Sequence, residues 1–244
     1  MKTLLTTLTI ILFSNFALAQ DSNREYTQLW AQVFKLEKEN LTKSALGVVE
    51  KIADQANKEK NQQQQIKTLL FTSKYALILE ENAKLEVIKR FKKEIEVAQF
   101  PAKNVLEGYL ANLYWQYFQQ NRYQFYNRTA TDVKIDSVDF RTWDLTTLFH
   151  EIQLHFANSL ESPEKLQETG LTDFETLLYS KEGSKTYRPS LFDVLAHNAL
   201  SFYKTDESGI NRPADKFELD NPDYLCDAYS FSHMEIATSD STSL

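Results

Sequence analysis

Apolar residues recur at intervals of three and four along most of the chain, which is the spacing of an α-helix that buries one face. Tyr26, Trp30 and Val33 begin the first such stripe. Similar stripes follow as far as residue 204, after which the periodicity is lost. The pattern predicts helices at 22–39, 44–60, 63–81, 83–99, 103–126, from 144 to about 160, at 173–180 and at 190–204.

Capping and helix-breaking residues mark the ends of these predicted helices. Thr42 is a candidate cap for the second helix, and the run Gln62–Gln65 suggests a short polar joint before the third. Pro101 suits the start of the fifth helix, because proline is tolerated in the first turn. Asp144 is a good N-cap for the sixth helix, and Pro189 suits the first position of the last.

The fifth predicted helix is unusually rich in aromatic residues. They cover more than one face, which predicts that this helix lies centrally between neighbours. Packing in the core is the favoured interpretation, and a platform that binds carbohydrate or peptide is the alternative. The aromatic residues are Tyr109, Tyr114, Trp115, Tyr117, Phe118, Tyr123, Phe125 and Tyr126.

These features predict an all-α fold of stacked antiparallel helical hairpins. A degenerate tetratricopeptide-like solenoid and an orthogonal helical bundle both fit the pattern. The chain has only five Gly and five Pro, which argues against a β architecture with many turns. We expect a helical-repeat segment at 20–99, an aromatic-rich helical segment at 100–204 and an irregular tail at 205–244.

Residues 1–19 have the features of a secretory signal peptide. Lys2 precedes the apolar run 4–13, and Ala17 and Ala19 place small residues before a predicted cleavage site at Gln20. The apolar run is too short to span a bilayer. The sequence therefore predicts export to the periplasm, the outer envelope or the medium.

Charge and cysteine content exclude some partners and some sources of stability. The chain has 27 basic and 34 acidic residues. Removal of Lys2 with the signal peptide changes the net charge from −7 to −8, so nucleic acid is not an expected partner. Cys226 is the single cysteine, which excludes an internal disulfide. A buried, apolar setting is expected for it, with a reactive or intermolecular thiol as the alternative.

No group of residues at recognisable spacing predicts catalysis or metal binding. His150, Glu151 and His155 resemble part of a zinc-protease helix, but that motif needs two histidines four positions apart. Here the separation is five, or about 500° of helical rotation, so the rings diverge. A surface helix with Glu151 and His155 as neighbours is predicted. His197 and His233 lack a Cys or carboxylate at ligand spacing, so we expect no enzyme, cofactor or metal site.

Several stretches resemble the N-terminal region of large alpha-2-macroglobulin-like proteins of Bacteroidetes-type bacteria. The similarity extends over essentially the whole mature chain. The resembling stretches are 44–56 (SALGVVEKIADQA), 110–129 (LANLYWQYFQQNRYQFYNRT), 140–156 (FRTWDLTTLFHEIQLHF) and 184–206 (SKTYRPSLFDVLAHNALSFYKTD).

The resemblance implies a non-catalytic helical scaffold of an endopeptidase inhibitor, or protease trap. Its partners would be downstream macroglobulin domains, envelope proteins, or proteases captured by a full-length protein. The chain departs from the family plan, because Cys226 stands in Cys-Asp-Ala-Tyr and not in the Cys-x-Glu-Gln thioester motif. It also ends at Leu244, before macroglobulin domains, as a fragment or truncated product would. The alternative function is a free-standing helical-repeat module of the envelope that binds a peptide or protein.

Overall fold

The computed structural model describes residues 24–126, 138–171, 183–205 and 222–235, together with Phe174 and Leu177. This part of the chain is helical and contains no β-strand, which confirms the all-α class; one isolated bridge joins Gly170 to Ser190. None of the described helices is long and apolar enough to cross a membrane. The helices are α1 (24–38), α2 (Thr42–Glu59), α3 (Gln62–Leu79), α4 (Ala83–Val97), α5 (Ala102–Tyr126), α6 (Leu145–Ser159), α7 (Pro163–Glu168), α8 (Ser184–Tyr187), α9 (Leu191–Tyr203) and α10 (Ala228–Ser232).

The junctions on either side of α2 differ from those predicted. Leu41 occupies the N-cap without a side-chain hydrogen bond, and Thr42 is already helical, so the predicted cap is wrong. Asn61 caps α3 by accepting a hydrogen bond from the Gln64 amide at 3.2 Å. Gln62–Gln65 is therefore the first turn of α3 and not a polar joint. Glutamine is a good helix former, and Asn61 supplies the start signal for the run.

The starts of α5 and α6 agree with the sequence, whereas that of α9 does not. Helix α5 begins directly after Pro101, and the Asp144 carboxylate accepts a hydrogen bond from the Thr147 amide at 2.8 Å. At α9 the cap is Ser190, which forms a reciprocal pair with Asp193. The Ser190 amide donates to Asp193 Oδ2 at 2.9 Å, and the Asp193 amide donates to Ser190 Oγ at 3.3 Å. Pro189 consequently precedes the cap and is not the first helical residue.

Helices α1, α2 and α3 share one apolar cluster. Trp30 Nε1 of α1 donates to Gln64 Oε1 of α3 at 2.7 Å, and Tyr75 of α3 donates to Glu37 Oε1 of α1 at 2.8 Å. These contacts join the beginnings and the ends of the two helices, so α1 and α3 run in the same direction. Assembly into a repeated stack of hairpins stays a prediction. The buried members of the cluster are Tyr26, Trp30, Val33, Ala45, Val48, Val49, Ile52 and Tyr75.

Helix α5 lies between several neighbours, as its aromatic content predicted. It packs along α6 and also contacts α3 and α4. Asn121 has non-helical backbone angles and kinks the helix near its end, where its side-chain amide donates to the Tyr117 carbonyl at 2.8 Å. The central position of α5 explains why apolar side chains cover more than one of its faces.

The chain divides into two compact units, residues 1–199 and 200–244. In the second unit, Asp227 caps α10 by accepting hydrogen bonds from the Tyr229 and Ser230 amides, each at 3.1 Å. A hydrogen bond from the Ser230 hydroxyl, followed by those from the two amides, lowers the pKa of Asp227. The predicted irregular tail therefore contains at least one short capped helix. Most of the predicted helix 173–180 lies outside the described residues, as do the predicted signal peptide and the last nine residues.

We expect the free energy of unfolding to fall as the pH rises above about 10. Burial, followed by a hydrogen bond to a carboxylate, raises the pKa of Tyr26 and of Tyr75. The folded chain therefore keeps protons that the unfolded chain releases, and this stability is present below about pH 10 and lost above it. Tyr75→Phe should cost about 1–2 kcal/mol at pH 8 and flatten the alkaline decline. Urea unfolding at pH 8 and pH 10.5 measures both effects, and an unchanged alkaline slope would contradict the assignment. Tyr123→Phe, at an exposed tyrosine, is the matched control.

Candidate functional site

A cleft of about 680 Å³ opens beside α5 in the first unit. Helices α5, α8 and α9 and the segment after α7 supply its walls. The size is within the range typical of sites for small molecules or peptide side chains. The apolar walls are formed by Val105, Leu171, Leu177, Leu191, Val194 and Leu195.

Close approach of α5 to α9 forms the floor of the cleft. A Cβ atom on Gly108 would lie 3.2 Å from Leu195 Cδ2 and 3.6 Å from Ser159 Cβ, so glycine allows α6 and α9 to approach α5 here. The Tyr109 hydroxyl donates to the Leu177 carbonyl at 2.9 Å and ties the segment after α7 to α5. Burial raises the pKa of the Tyr109 phenol, so this donor keeps its proton at neutral pH.

A few polar side chains interrupt the apolar walls of the cleft. Arg188 Nη2 donates to His197 Nε2 at 2.8 Å, and no carboxylate of the described residues lies within ion-pair distance of the guanidinium. The Asn198 amide lines the cleft and makes no hydrogen bond with the described part of the chain. Asn112 uses its Nδ2 to donate to the Gly108 carbonyl at 2.9 Å. An apolar cleft with a few polar side chains and the guanidinium of Arg188 is suited to binding a ligand.

A second polar group lies buried between α5 and α6. His155 Nδ1 is 2.5 Å from Glu107 Oε2, and His155 Nε2 is 3.7 Å from Glu151 Oε2. The Tyr114 ring stacks on His155 with centroids 5.8 Å apart. Burial, and then the charge of Glu151, raises the pKa of Tyr114. Lys92 of α4 approaches Glu151 Oε2 at 3.8 Å and links a third helix to the group.

The buried group corrects one prediction and confirms another. Glu151 and His155 are buried, so the predicted surface helix is wrong for this face of α6, whereas His150 is exposed. Their contact confirms the predicted pairing four residues apart. The group shares no member with the cleft lining. Its geometry supports a cross-link between helices, because each charged group faces a partner on its own or a neighbouring helix.

The aromatic residues of α5 are mostly core residues. Tyr114, Trp115, Tyr117 and Phe118 are buried, as is Phe125, which confirms core packing at these positions. Tyr109 is half-buried and lines the cleft, and Tyr123 is exposed over 82% of its surface. The Tyr126 side chain lies outside the described residues.

The remaining candidates from the sequence are not among the residues that line the cleft. Cys226 is exposed, so the predicted buried thiol is wrong; it lies between two short helical turns that provide no apolar cover. His233 Nδ1 lies 2.8 Å from the Tyr229 carbonyl oxygen of its own turn. Within the described ranges, no three or more His, Cys, Asp or Glu side chains are placed to hold a metal ion.

Comparison with known proteins gives no relative. No family model, curated protein or solved structure matches the chain. The cleft is consequently the main structural guide to function. Arg188 and Asn198 were not singled out from the sequence, because single polar residues on a short helical segment carry no motif.

Proposed function

We propose that this protein is a non-catalytic helical binding module that holds a peptide segment of a partner protein in the cleft between α5 and α9. The volume and apolar walls of the cleft carry the proposal. Sites of this kind bury apolar side chains of a ligand and use a few polar groups to fix its orientation. The six aliphatic residues of the walls offer the apolar part, and Arg188 and Asn198 offer the polar part.

The side chains of the cleft favour binding over catalysis. General acid–base chemistry requires a titratable side chain within hydrogen-bond reach of the reacting atom. Arg188 donates to His197, and the remaining polar lining consists of amides and hydroxyls, with no carboxylate among the described lining residues. These groups can donate and accept hydrogen bonds but form no acid–base pair at neutral pH.

The proposed partner lies outside the cytoplasm. The signal-like features of residues 1–19 support export, with a partner in the periplasm, in the outer envelope or outside the cell. The acidic net charge supports a protein or peptide partner over nucleic acid.

The second candidate function is the helical scaffold of an alpha-2-macroglobulin-like protease inhibitor. The resembling stretches 110–129, 140–156 and 184–206 include most of α5, α6 and α9. Two of these helices border the cleft, so a resemblance there concerns the scaffold and its docking surface. In this role the module would position downstream macroglobulin domains and supply no reactive group.

Val194→Trp is expected to lower peptide affinity at least tenfold, because Val194 is half-buried on the cleft wall and an indole would fill the space. Peptides would first be selected from a displayed random library on the purified protein, then measured by fluorescence polarisation. Leu154→Trp is the matched control, since Leu154 is exposed on α6 and does not line the cleft. Its affinity should stay within about twofold of wild type. Selection of no peptide, or equal binding by Val194→Trp, would overturn the proposal.

The DNA downstream of codon 244 tests the second candidate. A reading frame that continues into macroglobulin domains would support the scaffold role and direct inhibition assays to the full product. A stop codon there would overturn the protease-trap role for this product and leave the peptide-binding proposal intact.

A further inference from the structure

We infer that the cleft selects peptides that carry a carboxylate beside apolar side chains, and that Arg188 binds this carboxylate. The inference rests on the proposed peptide-binding function and names the chemistry of the ligand. It depends on how Arg188 is partnered, on the charges around it and on the apolar walls beside it.

Arg188 presents a positive charge that the described residues leave uncompensated. Its recorded side-chain partner is His197, whose Nε2 lies 2.8 Å from Nη2. A guanidinium only donates hydrogen bonds, so the His197 Nε2 atom is the acceptor in this contact. The contact therefore holds the guanidinium in place without neutralising its charge, and it leaves donors of the fork for a ligand.

The acidic residue that follows soon after Arg188 is already occupied. The Asp193 carboxylate uses Oδ2 to accept hydrogen bonds from the Ser190 amide at 2.9 Å and from the Ser190 hydroxyl at 2.6 Å. Asp193 is thereby committed to capping α9. The described lining residues of the cleft include Arg188 and no Asp or Glu, although the whole chain has a net charge of −7.

The surroundings of Arg188 strengthen its attraction for an anion. Leu191 and Val194 line the same cleft as Arg188. An apolar ligand that covered the guanidinium there would lower the local dielectric constant and strengthen its charge interaction with a carboxylate. Arginine binds carboxylates through two parallel hydrogen bonds, which adds geometric selectivity. Asn198 lies in the same lining and can bond the backbone of a bound peptide.

Two forms of one probe isolate the carboxylate. A dansylated leucine tripeptide with a free carboxylate and the same tripeptide with a terminal amide differ in one charged group and match in apolar content. We expect the free acid to bind wild-type protein at least tenfold more tightly than the amide, as measured by dansyl fluorescence. Arg188→Gln should abolish this preference, so that the acid and the amide bind the variant with similar affinity.

Lys185→Gln is the matched control for net charge. Lys185 is on α8, the short helix that ends directly before Arg188, and it does not line the cleft. The preference for the free acid should therefore persist in this variant. Circular dichroism establishes that each variant is folded. If Arg188→Gln does not fold, the wild-type comparison of acid and amide still decides whether the cleft prefers a carboxylate, and Arg188→Lys, which lacks the two parallel donors, tests the role of Arg188.

The outcomes distinguish the carboxylate inference from the proposed peptide-binding function. Equal binding of acid and amide to wild-type protein would overturn the carboxylate inference and leave peptide binding in place. An acid preference that survives in Arg188→Gln would place the anion elsewhere and overturn the role of Arg188. Binding of neither form, together with failure of the library selection, would overturn the proposed function itself.

Discussion

His155→Leu is expected to lower the free energy of unfolding by about 3–5 kcal/mol, because it leaves the buried carboxylate of Glu107 without its closest hydrogen-bond partner. The carboxylate of Glu107 is almost fully buried, and His155 Nδ1 contacts its Oε2 at 2.5 Å. Its other hydrogen bond is the longer one from Asn158 Nδ2 to Oε1, at 3.4 Å. Leucine would fill part of the space but give Glu107 no donor. Urea unfolding at pH 7, followed by tryptophan fluorescence, measures the loss.

Two variants show whether the loss comes from the pair. The double variant Glu107→Leu/His155→Leu should be more stable than His155→Leu alone, since apolar residues can replace a buried pair at little net cost. His150→Leu changes an exposed histidine on the same helix and should stay within about 0.5 kcal/mol of wild type. A His155→Leu variant no less stable than His150→Leu would show that the pair does not stabilise the fold.

Local signals explain what the sequence could predict. The period of apolar residues identified the main helices because each buries one stripe against a neighbour. Asp144 and Pro101 marked helix starts correctly, since capping and proline effects act within one turn. The two helix starts that were predicted wrongly, with Leu41 and Ser190 as N-caps, also depend on local interactions. They show that a nearby residue with a favourable capping side chain is not always the residue that occupies the N-cap.

Long-range pairing explains why buried polar residues were misjudged. Glu151 and His155 look like surface residues on α6 until Glu107, on α5, faces them. Lys67 is a similar case, because its Nζ lies 4.2 Å from the Trp30 ring centre on another helix. Burial lowers the pKa of Lys67, which a hydropathy pattern cannot indicate. In each case the partner comes from a helix distant in sequence.

The cleft was inaccessible to sequence reasoning for the same reason. Gly108 and Leu195 meet across α5 and α9, and no local pattern indicates that these two helices are neighbours. Arg188 becomes a candidate ligand-binding residue only when its contact with His197 and its place beside apolar walls are known. The packing of helices, and not a motif, therefore creates the candidate site.

Phe118→Ala is expected to lower the free energy of unfolding by about 3–5 kcal/mol, as removal of a buried aromatic ring usually does. Phe118 is fully buried, and its ring lies 4.9 Å from Phe149, 5.4 Å from Trp115 and 5.7 Å from Phe125, centroid to centroid. Its loss would leave a cavity between α5 and α6 that these rigid neighbours cannot fill. Thermal unfolding followed by circular dichroism measures the change without relying on the nearby tryptophan.

Tyr123→Ala on the same helix is the matched control, and it decides between the two roles considered for the aromatic residues of α5. Tyr123 is exposed, so its removal should change stability by less than about 0.5 kcal/mol. Similar losses for Tyr123→Ala and Phe118→Ala would contradict the division of α5 into a buried core face and an exposed end. Unchanged stability with weaker binding of the selected peptides would make Tyr123 a binding residue. Unchanged binding would limit the aromatic residues tested on α5 to the core.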